Sequence, residues 1–490
     1  MWSATIRKER ENIMEKLRFG IAGCGNIAKR FALALSKSEG AELYACAARD
    51  PEKAKAFAEA HGAQVCYGDY QSMIEDENVQ AVYIATVHTT HAQIAQACIN
   101  AGKAVISEKP FFINSKEAEE TIALAKEKGV LIMEGFWTRM MPAFLKAKEW
   151  IRDGRIGELH LIRASFCFNM PYNEYTKNGR MWRPELAGGA LWDAGVYPYE
   201  YATGIMDSEP EEVKYLVQRG INGVDTAVTM SMRFPGGVIA DCLTAINGFM
   251  ESSATLSGSK GYITQEYFVG CRKTSLYQGR GELVETFEDP EEEGFVHEVA
   301  HFVDLYRSGK KESDLIPLKD TLAFTRRAEQ ILQSDQPKKI SKFSLEELAA
   351  QEEKFRFESF TAKEALKLGN LMAAMAEQDQ KDAAIQIELG GMEVFRSMAP
   401  GTGAYNDLWM SKKKNTVKLM GKSTLRLWTE MASRGIPRVM GIYPPDIVFC
   451  GGGFPILLKD GTLVGVIAVS GPGDEYEHDL IVRALEELMK

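Results

Sequence analysis

The sequence predicts an α/β chain of three folded segments. These are a parallel sheet with crossover helices, a segment built on a mostly antiparallel sheet, and a separate third α/β segment. Three observations carry this expectation. Between residues 17 and 134, short apolar runs alternate with stretches of helical period, the pattern of strands joined by crossover helices. After about residue 155 the period becomes two, and Pro235-Gly236 separates two such runs as in a hairpin. Residues 334–343, SDQPKKISKF, are polar and aperiodic and read as a linker, after which the chain starts afresh with helices and ends in strands.

Taken in order, strands are expected at 17–22, 42–48, 79–85, 104–107 and 130–134, with helices at 27–36, 52–61, 92–101 and 116–128. Asp50 before Pro51 is a helix N-cap with proline at the first helical position. Period-two strands follow at 159–168, 213–219, 227–234, 237–245 and 254–257, then helices at 296–308 and 318–333. The expected organisation is an N-terminal extension (1–16, with Met14 as an alternative start to Met1), a first domain at 17–137, a second at 138–333, a linker at 334–343 and a third domain at 344–490.

The 490 residues are 45% hydrophobic and 26% charged, which excludes a disordered or collagen-like chain. A net charge of -10 argues against general binding to nucleic acid or to an anionic membrane. The eight cysteines include no C-x-x-C pair, as expected for a reduced, cytoplasmic protein rather than a disulfide scaffold. No apolar run is long enough to span a bilayer.

Gly23-Cys24-Gly25-Asn26-Ile27-Ala28 reads G-x-G-x-x-A between a strand and a helix, the context a dinucleotide site requires. Gly23 permits the tight turn and Gly25 the approach of a pyrophosphate. Asn26 and Ile27 open the helix whose N-terminus faces the anion. The second strand ends Ala48-Arg49-Asp50, without the acidic residue that binds a ribose 2′-hydroxyl. Arg49 suits a 2′-phosphate instead, so NADP is expected over NAD.

Further motifs carry a resemblance. Residues 102–111, GKAVISEKPF, are similar to the A-G-K-x-V-x-x-E-K-P signature of the Gfo/Idh/MocA oxidoreductase family. Ala85-Thr86-Val87-His88-Thr89-Thr90-His91 resembles that family's A-T-P-N-x-x-H turn, departing at Val87 and His88. Gly188–Pro198 and Met133–Arg139 resemble its dihydrodiol and sugar dehydrogenase branch, over about 17–333 in all. The resemblance implies a Rossmann domain followed by a substrate and oligomerisation domain. It implies hydride transfer between a nicotinamide and a hydroxyl-bearing carbon of a sugar or cyclic diol, in a homo-oligomer. It implies Lys109 and Tyr197 as the proton relay and Asp193 as a partner to lysine or substrate. The ionised phenol of Tyr197 is expected to be favoured by the nearby lysine, lowering its pKa. Thr86, His88, His91, Glu108 and Lys109 join Gly23, Gly25, Asn26, Ile27 and Arg49 as expected cofactor contacts. Trp137, Arg139, Phe166, Trp182 and Arg183 are candidates for lining the substrate pocket.

His297-Glu298-Val299-Ala300-His301 spells H-E-x-x-H, a zinc-protease pattern. A third ligand is not evident, and His301-Phe302 fits the A-x-H-F run of the resembling family, so no metal is expected.

In the last segment, Gly451–Ile456, Val464–Gly471 and Asn406-Asp407-Leu408-Trp409 resemble the GlcG/HbpS-like family, whose nearest branch carries the label haem-degrading. This implies a single profilin/PAS-like domain with an antiparallel sheet and makes haem a candidate ligand, with His478, Cys450 and Tyr443 as candidate axial residues. His478 is expected to cap the last helix. The Gly451–Gly453 run is either an anion-binding nest or a tight packed bend, and the lysines of 412–422 read as a solvated helix face. Two functions follow. One is an NADP-dependent oxidoreductase fused to a small-ligand module. The other is a sensor or assembly protein that binds NADP(H) with little turnover and takes haem or a small ligand at its C-terminal domain.

Overall fold

The computed structural model describes residues 15–173, 175–176, 178–220, 223–334, 341–433 and 446–490. The chain divides into two compact units, residues 1–335 and 336–490. Most of the expected linker, and Tyr443, lie outside the described residues.

The first unit opens on a parallel six-stranded sheet. Its strands are β1 (Leu17–Ala22), β2 (Ala41–Ala47), β3 (Val65–Tyr67), β4 (Ala81–Ile84), β5 (Ala104–Glu108) and β6 (Ile132–Gly135). Their order, β3-β2-β1-β4-β5-β6, reverses direction between β1 and β4, and ligands of such sheets bind at the carboxyl ends flanking that point. The strands are apolar on both sides because helices cover both faces, as in Asn26–Lys37 and His91–Asn100. Asp50 caps the helix Pro51–His61 through the amides of Glu52 (3.1 Å) and Lys53 (3.4 Å), as its sequence implies. The three-residue β3 is too short to give a periodic signal.

An eight-stranded sheet follows, ordered β14-β13-β12-β11-β7-β10-β9-β8. Here β7 is Leu159–Cys167, β8 Glu212–Arg219, β9 Asp225–Arg233, β10 Ile239–Ala245, β11 Ser253–Gly258, β12 Gly261–Glu266, β13 Lys273–Gln278 and β14 Glu282–Glu288. It is mixed rather than antiparallel throughout, because β7 and β10 run parallel, with Leu161 beside Ile239. One face is buried under the helix Val196–Met206, whose side chains are buried on every side. Leu161, Leu216 and Ile239 stand exposed on the other face. The helices Phe295–Arg307 and Leu318–Ser334 then return to pack on the first sheet's own helices and core.

The second unit holds a five-stranded sheet, β15-β18-β19-β16-β17. Its strands are β15 (Arg356–Phe357), β16 (Ala384–Leu389), β17 (Met392–Met398), β18 (Gly453–Leu458) and β19 (Leu463–Ser470). All pairings are antiparallel except the short β15–β18 contact. The helices Ala362–Gln378 and Asp474–Leu488 bury Leu368, Met372, Leu480 and Ile481 against it in one apolar core. Among the described residues, no helix is long and apolar enough to cross a membrane.

Candidate active site

At the carboxyl ends of β1, β2 and β4, a cavity of about 360 Å³ is lined by Gly23, Cys24, Gly25, Arg49, Lys53, Tyr70, Thr86 and Arg180, among others. Gly23 has φ +99°, and a Cβ there would stand 2.7 Å from the carbonyl oxygen of Ala85, so only glycine fits. A Cβ on Gly25 would meet nothing within 4 Å and would fill the open cradle itself. An anionic diphosphate therefore has bare backbone to approach, a helix N-terminus ahead of it and Arg49 and Lys53 in the wall. These residues fit NADP. Asn26 and Ile27 open the helix at that N-terminus.

Lys109 follows the last residue of β5 and is joined to Pro110 by a cis bond. Its neighbours are pinned on both sides. The His91 ring contacts the carbonyl oxygens of Pro110 (3.0 Å) and Thr86 (3.2 Å). The Glu134 carboxylate accepts the Phe111 amide (2.9 Å) and the Thr321 hydroxyl (2.7 Å). The ammonium of Lys109 donates to the Asp193 carbonyl (2.7 Å), lies 3.6 Å from the Asp193 carboxylate and sits 4.7 Å from the centre of the Tyr197 ring.

Asp193 is carried by a π-helical turn, Leu191–Gly195, that runs into the helix Val196–Met206 bearing Tyr197. The buried Asp225 carboxylate accepts the Leu191 amide and anchors that turn. Arg180 donates to Asp193 (2.7 Å) and reaches His88 (3.2 Å), while His88 lies 3.7 Å from Asp193. One carboxylate thus gathers two cations and an imidazole.

The protonation states follow from that cluster. For Asp193, burial opposes ionisation, but Lys109 and Arg180 outweigh it and hold the carboxyl below its ordinary range. For Lys109, burial favours the neutral amine, yet Asp193, Tyr197 and Glu108 raise its pKa. His88 is pushed well below its ordinary value by burial and then by Arg180, so it is neutral. Tyr197 corrects the expectation of a lowered phenol. Burial raises it, and the downward pull of Lys109 only partly offsets that, because the ring rather than the oxygen faces the ammonium.

Of the expected pocket residues, Trp137 and Phe166 gather at Tyr197. Trp137 Nε1 lies 3.5 Å from the phenol oxygen, and Phe166 packs edge-on to the ring at 5.2 Å. Arg139 does not belong there. It is 1% exposed and its guanidinium is spent on Glu200, Asp320, Thr203 and the Glu200 carbonyl, so it is a structural cation. Arg183 is exposed and paired to Glu185 (2.7 Å), and Trp182 is buried in a satellite cluster with Met181, Val224 and Ile246. Glu108 is buried and accepts the Tyr83 hydroxyl, so its oxygen faces the core rather than the cavity. Sequence reasoning missed Arg180, two and three residues from candidates it chose; only the short 3-10 turn Arg180–Trp182 aims it at Asp193.

The H-E-x-x-H histidines serve separate partners. His297 meets Asp289 (2.7 Å) and His301 meets Ser313 (2.7 Å). Between them Glu298 is wholly buried, and burial holds its carboxyl well above the ordinary range, in the neutral form.

In the second unit, His478 is a core residue rather than a cap. It is 0% exposed, lies between the rings of Phe343 and Phe454, and bonds Gln351 (2.8 Å). Cys450 is likewise buried. Among the described residues, these candidate axial groups do not fit haem. The Gly451–Gly453 run is the packed bend. A Cβ on Gly451 would stand 1.8 Å from the Asp474 carbonyl, and the Gly453 amide is already given to Thr424. The lysine cluster is not a solvated face either. Lys413 is 2% exposed and bonds Glu477 (2.6 Å) and the Val469 carbonyl (2.7 Å), and Lys414 and Lys418 flank Glu388.

Burial lowers both His478 and His91 to about 4, against about 6.5 in an unfolded chain. Between those values the unfolded chain binds the extra protons, so stability rises with pH there and falls on acidification. Each histidine contributes up to about 3 kcal/mol, lost as the pH drops from about 6.5 towards about 4. The urea midpoint of the full chain should be lower at about pH 5 than at about pH 7; an unchanged midpoint contradicts this.

A switch-point glycine cradle with a helix N-terminus ahead of it is the arrangement of a dinucleotide-binding Rossmann domain. Residues 17–136 match the model described as "Oxidoreductase family, NAD-binding Rossmann fold", and residues 144–264 match the GFO/IDH/MocA C-terminal domain. The chain belongs to the Gfo/Idh/MocA family of oxidoreductases. It is 32% identical over 313 residues to the trans-1,2-dihydrobenzene-1,2-diol dehydrogenase of Mus musculus, covering 62% of this chain and 92% of that protein. The Homo sapiens enzyme of that name is 31% identical over 314 residues, with the same coverage. A 3-ketoreductase from Actinomadura kijaniata, solved with NADP and TDP-benzene, is 25% identical with a TM-score of 0.57, covering 64% of this chain and 96% of its own. Levoglucosan dehydrogenase, solved with NADH and levoglucosan, shares the fold at 22% identity and a TM-score of 0.60, covering 65% of this chain and 97% of its own. Residues 360–486 match the family described as "Haem degrading protein HbpS-like".

Proposed function

We propose that the first unit is an NADP-dependent dehydrogenase or reductase acting on a hydroxyl-bearing carbon of a sugar or cyclic diol. The convergence of Lys109, Asp193 and Tyr197 beside the glycine cradle carries this reading. Bound NADP supplies or accepts hydride at its nicotinamide ring. The protein's part is to manage the proton on the substrate oxygen. Tyr197, neutral at physiological pH, donates its proton to the oxygen that becomes the alcohol, and regains it through the same contact in reverse. Lys109, held charged, stabilises the developing negative charge on that oxygen and the phenolate that forms. Asp193 fixes the ammonium in place, and Trp137 and Phe166 hold the Tyr197 ring. The exposed Leu161, Leu216 and Ile239 on one sheet face support an oligomer of like chains.

The cofactor preference rests on Arg49. Arg49→Ala removes a charge-assisted contact to the 2′-phosphate, so the Michaelis constant for NADP should rise about 10-fold or more while that for NAD stays nearly constant. Equal losses for both cofactors would sink the assignment. The reading as a whole is tested by titrating the full chain with NADPH and NADH and assaying aldoses, inositols, α-dicarbonyls and trans-dihydrodiols. Turnover on a diol or sugar with NADP is expected. Binding without turnover across the panel overturns it.

A further inference from the structure

Three of the eight cysteines meet at one corner of the first sheet. Cys24 stands between Gly23 and Gly25 and lines the cofactor cavity. Cys46 lies on β2, and Cys66 lies on β3 in register with it. The backbone draws the first two together. Ile21 pairs with Cys46, and the Gly23 amide donates to the Ala47 carbonyl (2.9 Å). The Cys24 thiol donates to that same carbonyl (3.6 Å). The Cys46 thiol donates to the Ala54 carbonyl (3.4 Å), and its side chain is also the hydrogen-bonding neighbour of Cys24. Both thiols are free and buried, whereas Cys66 is exposed.

The environment makes the pair unequal. Cys46 lowers the Cys24 thiol by hydrogen bonding, burial opposes this, and the cationic Lys53 lowers it further. Cys46 is raised, first by its bond to Cys24 and then by burial. Cys24 thus shares the cavity wall with the cationic Lys53 and has a second buried thiol beside it, the arrangement of a reactive and a resolving cysteine.

We propose that Cys24, which lines the dinucleotide cavity, and Cys46, which lies on β2 outside its lining, form an oxidisable dithiol, closed to a disulfide by hydrogen peroxide and opened by a dithiol reductant, with the disulfide form unable to hold NADP. In the first step the Cys24 thiolate attacks one peroxide oxygen. The S–O bond forms, the O–O bond breaks, and the hydroxide released takes up a proton as water. In the second step Cys46, losing its proton, attacks the Cys24 sulfur. The S–S bond forms, the S–O bond breaks, and the departing hydroxide leaves as a second water. Two thiols lose two electrons and two protons, and the peroxide is reduced to two waters. The bridge draws Cys24 towards β2 and takes with it the flanking glycine amides that form the cradle. The effect on binding rests on the cofactor reading above; formation of the bridge does not.

The test treats the full chain with hydrogen peroxide, maps the cysteines by mass spectrometry and titrates NADPH by fluorescence before and after. The expected result is a Cys24–Cys46 cross-linked peptide and NADPH binding about 10-fold weaker or worse, restored by dithiothreitol. Prior saturation with NADPH should slow the cross-link. Cys46→Ser should bind NADPH as the unaltered chain does and form no cross-link, whereas Cys66→Ser should still form it. Should Cys46→Ser not fold, NADPH protection of the unaltered chain decides. Oxidation confined to Cys66, a Cys46–Cys66 bridge, or a Cys24–Cys46 bridge that leaves NADPH binding unchanged overturns the switch alone. A reduced chain that binds no NADPH overturns both the switch and the cofactor reading.

Discussion

Lys109→Ala should lower kcat by about 10²–10⁴-fold while changing NADPH binding by much less. The lysine is largely buried, with 12% of its side chain exposed, and is charged and set between the Asp193 carboxylate and the Tyr197 ring, where little water can replace its charge. Removing it withdraws the cation that stabilises both the substrate oxyanion and the phenolate. The cofactor loses little, because the glycine turn, Arg49 and Lys53 remain. Stopped-flow turnover beside a fluorescence titration separates the two quantities. A loss confined to binding, with kcat intact, would show Lys109 to be a cofactor anchor only. The pH profile carries the same logic. Because burial raises Tyr197, its basic form appears only at alkaline pH. Alcohol oxidation should therefore gain rate as pH rises above neutrality, and carbonyl reduction should lose it. Tyr197→Phe should abolish that limb.

Arg139→Ala should destabilise the first unit by about 3–5 kcal/mol, the cost of breaking a buried ion pair from one side. Arg139 joins three chain segments. Its guanidinium bonds Glu200 and Thr203 on one helix and Asp320 on another, and donates to the Leu315 carbonyl. Glu200 is 0% exposed, and burial pushes its carboxyl up while Arg139 pulls it down and holds the ion pair. Without that cation its carboxyl takes up a proton and remains an unpaired polar group in the core. Urea unfolding measures the loss. Lys cannot substitute, since it lacks the planar fork that meets two acids at once. Should Arg139→Ala instead retain full stability and lose substrate affinity, the original expectation of a pocket residue returns.

How far the sequence carries depends on the range of the interactions involved. The cap at Asp50, the turn at Gly23 and Gly25 and the first-sheet strands are set by residues within a few positions of one another. Steric limits on φ and the helix and strand periods express themselves there directly. The lysine at the end of β5 and the phenol after the G-G-A-L-x-D-x-G run were legible by motif. Their meeting at 4.7 Å was not, because 88 positions of chain separate them.

Taken alone, the sequence determined an α/β chain with a glycine turn between strand and helix, an arginine after the second strand, a lysine and a tyrosine in family motifs and a distinct C-terminal segment. Tertiary structure decided which cations serve the site and which serve the core. Arg139 and Arg180 are the same residue type, yet one is sealed against Glu200 and the other reaches Asp193 at the cavity. It also reversed the expected shift at Tyr197, sealed His478 and Lys413 into the core, and set β7 parallel to β10. The physical reason is common to these cases. Desolvation and Coulomb energies depend on everything within several ångströms in space, and sequence spacing specifies that surrounding only within a turn or a strand.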